Sequence, residues 1–328
     1  MGMFINGTWH RENKFPANKS GEFDRTPTSF RSQISADPNA EFPAEAGRYH
    51  LYVSYACPWA HRTLITRALK GLEHAISVSV VHWYMGEDGW TFQDGPGVVA
   101  DPHHRATHLK DVYKAARDDF TGRVTVPILF DTTSRQIVNN ESSEIIRQLD
   151  AAFQGIAKNP DLRLSPDDLM HEIDTLNAPI YDRVNNGVYK CGFARTQAAY
   201  GRAANALFDH LDTLEAHLST RRWMCGDRFT EADVRLFVTL LRFDPVYVTH
   251  FKCDRRRIVD YPNLWAYTRE IAQVPGITKT IDMQHIRRHY FESHPSINPR
   301  GIVSVGPADA DLSQPHNRER LGGRPPLG

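Results

Sequence analysis

Residues 50–82 decide the fold, and their sequence is HLYVSYACPWAHRTLITRALKGLEHAISVSVVH. The first six residues are apolar or aromatic with partial alternation, which predicts a β-strand that ends at Ala56-Cys57-Pro58. Residues 59–72 repeat apolar side chains at every fourth position and predict a helix, and the β-branched residues of 75–82 predict a second strand. Strand, helix and strand within about 35 residues indicate a βαβ unit, whose two strands are expected to be parallel.

The segments that follow extend this unit to a small α/β domain. Residues 123–130 predict a strand that contains Pro127, so the strand lies at a sheet edge or begins at a turn. Residues 136–138 predict its antiparallel partner, and residues 141–153 predict a helix with one apolar face. We therefore expect an α/β domain over residues 48–155.

Two segments of this half lack a sustained period. Residues 1–47 are rich in Asn, Ser, Pro and Arg and predict an extended arm, whose scattered aromatic side chains indicate that it is packed against the protein. Residues 85–110 contain several Gly and Pro residues and predict a long irregular insertion. Loops of that length are often functional.

The second half of the chain is predicted to be helical. Ser165 followed by Pro166 predicts a helix start with a serine cap. Thr230 and Asp233 have the spacing of a capping box at a second start. These patterns predict an all-α domain over residues 165–328 that ends in an extended, Pro- and Gly-rich tail, loose at its end.

Composition excludes several classes of protein. The chain has 328 residues, 41% hydrophobic and 24% charged, and its 39 Lys+Arg balance 39 Asp+Glu, so it lacks the basic excess of a nucleic-acid binder. We expect no membrane partner, because no stretch approaches the roughly 20 apolar residues that a spanning helix needs and the N-terminus resembles no secretory signal. Glycine-rich nucleotide-binding motifs are also absent.

The four cysteines are too few for a disulfide scaffold. Cys57, Cys191, Cys225 and Cys253 form no Cys-x-x-Cys pair, which favours free thiols in a reducing cytoplasm. His104 and His108 lie in a loop-like segment without a set of acidic ligands, so we expect no bound metal.

Cys57 is the strongest candidate for chemistry. It follows a strand and precedes Pro58 at the predicted first helical position, where unpaired amides and the positive end of the helix dipole favour a thiolate. Lowering its pKa from about 8.5 by about two units requires roughly 2.7 kcal/mol of anion stabilisation. The alternative is a buried, inert cysteine. The carboxyl edge of an α/β sheet favours the reactive thiol. Because position 60 is not Cys, an external thiol must open any mixed disulfide.

The chain resembles the glutathione transferase superfamily in Cys57-Pro58-Trp59-Ala60, Thr125-Val126-Pro127 and Glu141-Ser142. In detail it resembles the Xi class, the glutathionyl-hydroquinone reductases. The resemblance covers nearly the whole chain, from about residue 5 to 307. The segments that support it are residues 55–62, 88–92, 186–190 and 289–301. The resemblance implies a thioredoxin-like domain that binds glutathione, an all-α domain that binds the second substrate, and a homodimer.

The resemblance also implies roles for individual residues. Pro127 is expected to be cis, with the backbone of Val126 pairing with the cysteinyl backbone of glutathione. Glu141 and Ser142 are expected to open a helix that binds the γ-glutamyl group. Two further residues are expected to contact the tripeptide: Trp90 and Arg123.

The implied activity is reductive removal of glutathione from a glutathionyl-hydroquinone through a Cys57–glutathione mixed disulfide. Tyr189 and Tyr290 match the tyrosines of the aromatic pocket in this class, and Cys191 would be a second accessible sulfur if it lined the same pocket. Two alternatives remain open: an Omega-like thioltransferase or dehydroascorbate reductase that uses the same Cys57, and a glutathione-binding regulatory protein without turnover. Conjugation of glutathione to electrophiles is disfavoured, because those enzymes usually present Ser or Tyr where Cys57 stands.

Overall fold

The structure, a computed structural model, describes residues 2–11, 18–23, 25, 27–307 and 309–327. These residues form two compact units. The first unit contains the described residues of Met1–Lys14, Pro27–Asp161 and Thr280–Ser293. The second contains those of Phe15–Thr26, Leu162–Lys279 and His294–Gly328.

The strands all belong to the first unit. Within the described residues they are β1 (Met3–Ile5), β2 (Thr8–His10), β3 (Tyr49–Val53), β4 (Ile76–Val80), β5 (Met85–Gly86), β6 (Gly89–Trp90), β7 (Ile128–Asp131) and β8 (Gln136–Asn139). The central sheet has the order β4-β3-β7-β8, and the other strands form the hairpins β1-β2 and β5-β6. β3 and β4 are parallel, while β7 is antiparallel to both β3 and β8. The predicted parallel βαβ unit and its antiparallel extension are confirmed.

The helices in the described residues are α1 (Pro58–Leu69), α2 (Leu109–Ala116), α3 (Ser142–Ala151), α4 (Met170–Pro179), α5 (Gly187–Gly192), α6 (Gln197–His217), α7 (Glu231–Arg242), α8 (Val248–His250), α9 (Pro262–Gln273) and α10 (Met283–Ser293). Two π-helical segments, Ile180–Asn185 and Phe243–Tyr247, precede α5 and α8. Short 3-10 helices lie at Asp167–Leu169, Ile258–Asp260, Thr278–Thr280 and Glu319–Leu321. Judged on length and apolarity, none of the helices in these ranges qualifies as a membrane span.

Two helix starts test the capping predictions. The capping box of Thr230 and Asp233 is present at α7, and Tyr267 also donates to the buried Asp233 carboxylate at 2.8 Å. The serine cap is wrong, because the Ser165 hydroxyl donates to Glu231 at 3.2 Å and the 3-10 helix starts two residues later. Pro166 and not Ser165 is the N-cap residue of this helix, so the serine lies one residue too early to cap it.

The strand predicted over residues 123–130 is correct only from Ile128. Residues 123–127 are irregular, since Pro127 has no amide hydrogen to donate to a neighbouring strand. The predicted insertion over residues 85–110 contains the β5-β6 hairpin, and α2 begins at its end. The sequence did not predict α2.

The N-terminal arm is held by its aromatic side chains, as expected. In the first unit, the Phe4 ring lies 6.0 Å from the Phe120 ring, which also stacks on Phe30 at 5.5 Å. In the second unit, Phe23 is buried. Phe15 lies outside the described residues. The arm begins with the hairpin β1-β2, so it is not uniformly extended.

The C-terminal tail packs against the second unit within its described residues. Arg318 is buried and donates to the carbonyl oxygens of Arg221 and Arg222 at 2.7 and 2.8 Å. Trp223 donates from Nε1 to the Arg324 carbonyl oxygen at 2.9 Å. The expectation of a loose end is wrong for these residues, because a buried arginine and backbone carbonyls anchor it.

His50 is buried in the central sheet between two hydroxyls. Its Nδ1 and Nε2 lie 2.7 Å and 2.9 Å from the hydroxyls of Ser77 and Ser79 on β4. Burial lowers the pKa of this imidazole to about 3. The neighbouring His103 ring, at 4.6 Å, has its pKa lowered by burial as well.

We expect the H50Q variant to reduce the acid sensitivity of the fold. A histidine whose folded pKa is depressed contributes stability above its unfolded pKa of about 6.5, and this stability is lost as the pH falls towards 3. Between pH 7.5 and 5.5 the wild-type free energy of unfolding should therefore fall by about 1.4 kcal/mol more than that of H50Q. Urea denaturation at each pH measures this difference.

The matched control is H10Q, which replaces an exposed histidine and should keep the wild-type profile. Parallel pH profiles for wild type and H50Q would contradict the prediction.

Candidate active site

Cys57 lies where the sequence predicts, between the end of β3 and the start of α1. Its backbone is extended, it is the N-cap residue of α1, and Pro58 is the first helical residue. The turn before it is held by Ser54, whose hydroxyl accepts from the Ala56 amide at 3.2 Å and whose carbonyl accepts from the Cys57 amide at 3.2 Å. The position of the sulfur therefore follows from the strand-turn-helix geometry.

The Cys57 thiol is 9% exposed and donates to the carbonyl oxygen of Val126, with Sγ and O 3.5 Å apart. This hydrogen bond uses the proton of the neutral thiol, so it is lost when Cys57 ionises. An ionised sulfur would instead face the amides and the positive dipole end of α1, which favour an anion.

Val126 precedes Pro127, and the peptide bond between them is cis, as expected. Within the described residues, neither the Val126 amide nor the Ser142 amide donates a hydrogen bond. Val126 contacts Cys57 and Ser142 is the first residue of α3, so the first unit presents two open amide donors. Open amides of this kind suit a bound peptide backbone or carboxylate.

Glu141 is the N-cap residue of α3. Its carboxylate accepts from the Ser143 amide at 3.2 Å and from the Ser143 hydroxyl at 2.9 Å. The Thr28 hydroxyl also donates to it, at 3.3 Å. The predicted helix start at residues 141–142 is confirmed. The Glu141 carboxylate is held at the N-terminal end of α3.

Arg62 is a residue of this region that sequence reasoning missed. It is buried in α1, its guanidinium lies 4.5 Å from the centre of the Trp59 ring, and it donates to the Ser142 hydroxyl at 3.3 Å. It therefore joins the helix after Cys57 to the start of α3. Nothing local marked it, because α1 contains a second arginine, Arg67, and further polar residues.

Trp90 is buried at the end of β6. Its ring stacks on the His289 ring at 4.7 Å, and His289 Nδ1 donates to the Trp83 carbonyl oxygen at 2.8 Å. Tyr290 is the next residue of α10, is 1% exposed, and makes an edge contact with His289 at 5.3 Å. In the first unit, Trp90 and Tyr290 therefore contact the same histidine ring. The sequence could link these two residues only through the resemblance.

Tyr189 lies on α5 in the second unit, half-buried in an aromatic cluster. The centres of the neighbouring rings lie between 5.4 and 6.3 Å from its own: Phe23, Phe193, Tyr247 and Phe251. Arg123 is partly exposed in the irregular segment before Pro127. Neither position tests the role that the resemblance assigns to these residues.

The other three cysteines are free, buried thiols. Burial and a hydrogen bond with Cys191 raise the pKa of Cys253, and burial raises the pKa of Cys225 to about 12. Cys191 is buried and hydrogen-bonded to Cys253, so it is not an accessible second sulfur. We interpret these three as structural thiols.

A metal centre is not evident in the parts of the chain that the structure describes, where no cluster of three or more potential ligand side chains occurs. His104 lies near Asp101, with Nδ1 and the carboxylate 3.7 Å apart.

Family models match both halves of the chain. Residues 56–152 match the model described as glutathione S-transferase, N-terminal domain, and residues 197–270 match the C-terminal domain. The chain is 51% identical over 308 residues to glutathionyl-hydroquinone reductase PcpF of Sphingobium chlorophenolicum, covering 94% of this chain and 97% of that protein. It is 50% identical over 327 residues to glutathionyl-hydroquinone reductase YqjG of Escherichia coli, covering 97% and 99%.

Solved structures agree with these relatives. The glutathione-bound structure of Escherichia coli YqjG superposes with a TM-score of 0.89 at 49% identity, over 97% of this chain and 99% of that chain. A Xi class transferase from Natrialba magadii superposes with a TM-score of 0.93 at 46% identity, over 99% and 98%. The predicted fold, a thioredoxin-like domain with an all-α domain, is confirmed. This chain belongs to the glutathione transferase superfamily, and within it to the Xi class.

Proposed function

We propose that the chain is a glutathione-dependent reductase that converts a glutathionyl-hydroquinone and glutathione into hydroquinone and glutathione disulfide. The position of Cys57 carries this proposal: it is the N-cap residue of α1 and contacts the carbonyl of a residue that precedes a cis-proline. A thiolate at that position can accept a glutathionyl group as a mixed disulfide. The two relatives named glutathionyl-hydroquinone reductase, at about half identity over nearly the whole chain, support the same activity.

We propose that glutathione binds to the first unit. Its cysteinyl backbone would pair with the open Val126 amide and with the Val126 carbonyl, which becomes available once the Cys57 thiol ionises. The γ-glutamyl carboxylate would bind the open Ser142 amide at the start of α3, and the ammonium would bind Glu141. Two more residues would contact the tripeptide: Trp90 and Arg123.

The chemistry proceeds in two transfers. In the bound hydroquinone ring, one hydroxyl proton first moves to the carbon that carries the sulfur, which gives a keto tautomer. The Cys57 thiolate then attacks the glutathione sulfur, the carbon–sulfur electron pair moves to the carbonyl oxygen, and that oxygen takes up a proton as hydroquinone leaves. The thiolate of a second glutathione attacks the Cys57–glutathione disulfide, releasing glutathione disulfide and the Cys57 thiolate.

We propose that Tyr189 and Tyr290 serve the first transfer. Negative charge develops on the ring oxygen when the carbon–sulfur bond breaks, and a phenol hydroxyl directed at that oxygen stabilises it. The aromatic neighbours of Tyr189 and the His289 contact of Tyr290 fix the two rings.

We also propose that the active form is a homodimer and that it acts in the cytoplasm. Sedimentation of the purified protein tests whether it is a dimer.

The alternatives share Cys57 and differ in substrate. A relative from Schizosaccharomyces pombe that is 46% identical is named glutathione S-transferase omega-like 2, so a thioltransferase or dehydroascorbate reductase is the second candidate. A regulatory protein would bind glutathione without turnover.

The deciding measurement compares turnover with glutathionyl-hydroquinone, a simple glutathione mixed disulfide and dehydroascorbate at equal glutathione concentration. We expect the first substrate to have the highest kcat/KM, with hydroquinone and glutathione disulfide formed in equal amounts. Faster turnover of the mixed disulfide or of dehydroascorbate would favour the second candidate. A Cys57–glutathione adduct that forms and never turns over would favour the regulatory protein.

A further inference from the structure

Arg25, from the N-terminal arm, lies against the ring of Tyr189 in the second unit. Its guanidinium carbon is 5.1 Å from the centre of the Tyr189 ring and 5.3 Å from the centre of the Phe23 ring. Its Nε donates to the side-chain oxygen of Asn186 at 2.9 Å. The arm therefore contributes a permanent positive charge to the aromatic cluster.

Two of the contacts of Arg25 involve neighbouring parts of the chain. Asn186 is the residue before Gly187, at which α5 begins, and Tyr189 lies on that short helix. The Arg25 side chain is therefore hydrogen-bonded to Asn186 at the helix start, and it also lies over the Tyr189 ring three residues further along. The Asn186 amide is neutral, so this hydrogen bond orients the guanidinium without cancelling its charge.

We propose that Arg25 is a positioning residue that fixes Tyr189 and strengthens its phenol as a hydrogen-bond donor to the hydroquinone oxygen. A cation against the face of an aromatic ring draws electron density from it, which makes the attached hydroxyl a better donor to an anion. The inference rests on the proposed function, because that oxygen gains charge only when the carbon–sulfur bond of the conjugate breaks. It assigns a role in the reaction to the arm outside the two matched family domains.

An electrostatic role for Arg25 predicts a dependence on the substrate that simple packing would not produce. Chlorine substituents on the hydroquinone stabilise the departing phenolate. The negative charge on the ring oxygen of a chlorinated conjugate therefore requires less stabilisation by the enzyme. Loss of Arg25 should therefore slow an unsubstituted conjugate more than a chlorinated one. A mixed disulfide without an aromatic leaving group should be affected least.

The test uses the full chain with R25M and R25K. R25M should lower kcat for the unsubstituted glutathionyl-hydroquinone by about 5- to 30-fold, with a smaller loss for the chlorinated conjugate. The KM for glutathione and the turnover of a simple mixed disulfide should stay near wild type. R25K keeps the charge without the planar group and should recover part of the loss.

The matched control is R255M. Arg255 also lies in the second unit, 4.9 Å from the centre of an aromatic ring, Phe208, and it also donates to an asparagine, Asn205. Its replacement removes the same kind of contact at an exposed site and should leave all three substrates unaffected.

Three results would overturn the inference. The first is wild-type rates for both R25M and R25K on every substrate. The second is an equal loss on all three substrates, which would indicate a structural role; if R25M fails to fold, R25K decides between these results. The third is a wild-type enzyme that does not cleave the conjugate, which would overturn the proposed function as well and so is distinguishable from the first two.

Discussion

Replacing Cys57 with Ala should lower reduction of glutathionyl-hydroquinone by roughly 10³- to 10⁶-fold, the range found when a nucleophile is removed from an enzyme. The sulfur is the atom that receives glutathione in the proposed mechanism, and no second cysteine follows three residues later to substitute for it. C57S should be nearly as inactive, because a hydroxyl cannot form the mixed disulfide. Steady-state rates with the purified variants measure the loss.

The C225A variant is the control for Cys57. Cys225 is also a free, buried thiol, but burial raises its pKa to about 12, so its removal should leave turnover nearly unchanged. Mass spectrometry after incubation with glutathione disulfide should find one glutathione on the wild type and on C225A, and none on C57A. A C57A enzyme that reduces the conjugate at the native rate would rule out the mechanism.

Replacing either Tyr189 or Tyr290 with Phe should give the second-largest effect. Y189F and Y290F should each lower kcat for glutathionyl-hydroquinone by roughly 10- to 1000-fold, the cost of removing one donor to a developing oxyanion. The aromatic ring remains in both variants, so packing is preserved and the KM for glutathione should change little. The loss should be much smaller with a simple mixed disulfide, which has no ring oxygen to stabilise.

The exposed Tyr181 offers a control in the same unit as Tyr189, and Y181F should retain wild-type rates. The double variant Y189F/Y290F would show whether the two hydroxyls act on the same step, since donors that stabilise one transition state are rarely additive. Full activity in both single variants would show that neither tyrosine takes part in the mechanism. The role proposed for Cys57 would be unaffected by that result.

Local patterns predicted well what depends on neighbours in the chain. The β3-α1-β4 order, the position of Cys57 before Pro58 and the capping box at Thr230 are all present. Predictions failed where a distant group intervened. Ser165 donates to the distant Glu231 and its helix starts only after Pro166, and Arg318 anchors a tail that composition alone made look loose.

The candidate site divides in the same way. Cys57 could be selected from its residue type and its position at a helix start. Tyr189 and Tyr290 could not be selected from twelve tyrosines without the family resemblance, because nothing local distinguishes them. Arg62 and Arg25 were not selected at all, since the importance of each arises from contacts with residues remote in sequence, Ser142 and Asn186.

The sequence by itself determined the β3-α1-β4 order and the placement of one cysteine at the start of a helix. Periodicity of apolar residues and the missing amide hydrogen of proline act over a few residues, so they can be recognised without coordinates. Only the tertiary structure decided that Cys57 meets Val126, 69 residues away, and that Arg25 meets Asn186, 161 residues away. Such pairs form because whole elements pack their apolar faces together, and the partners at each point of contact follow from that packing.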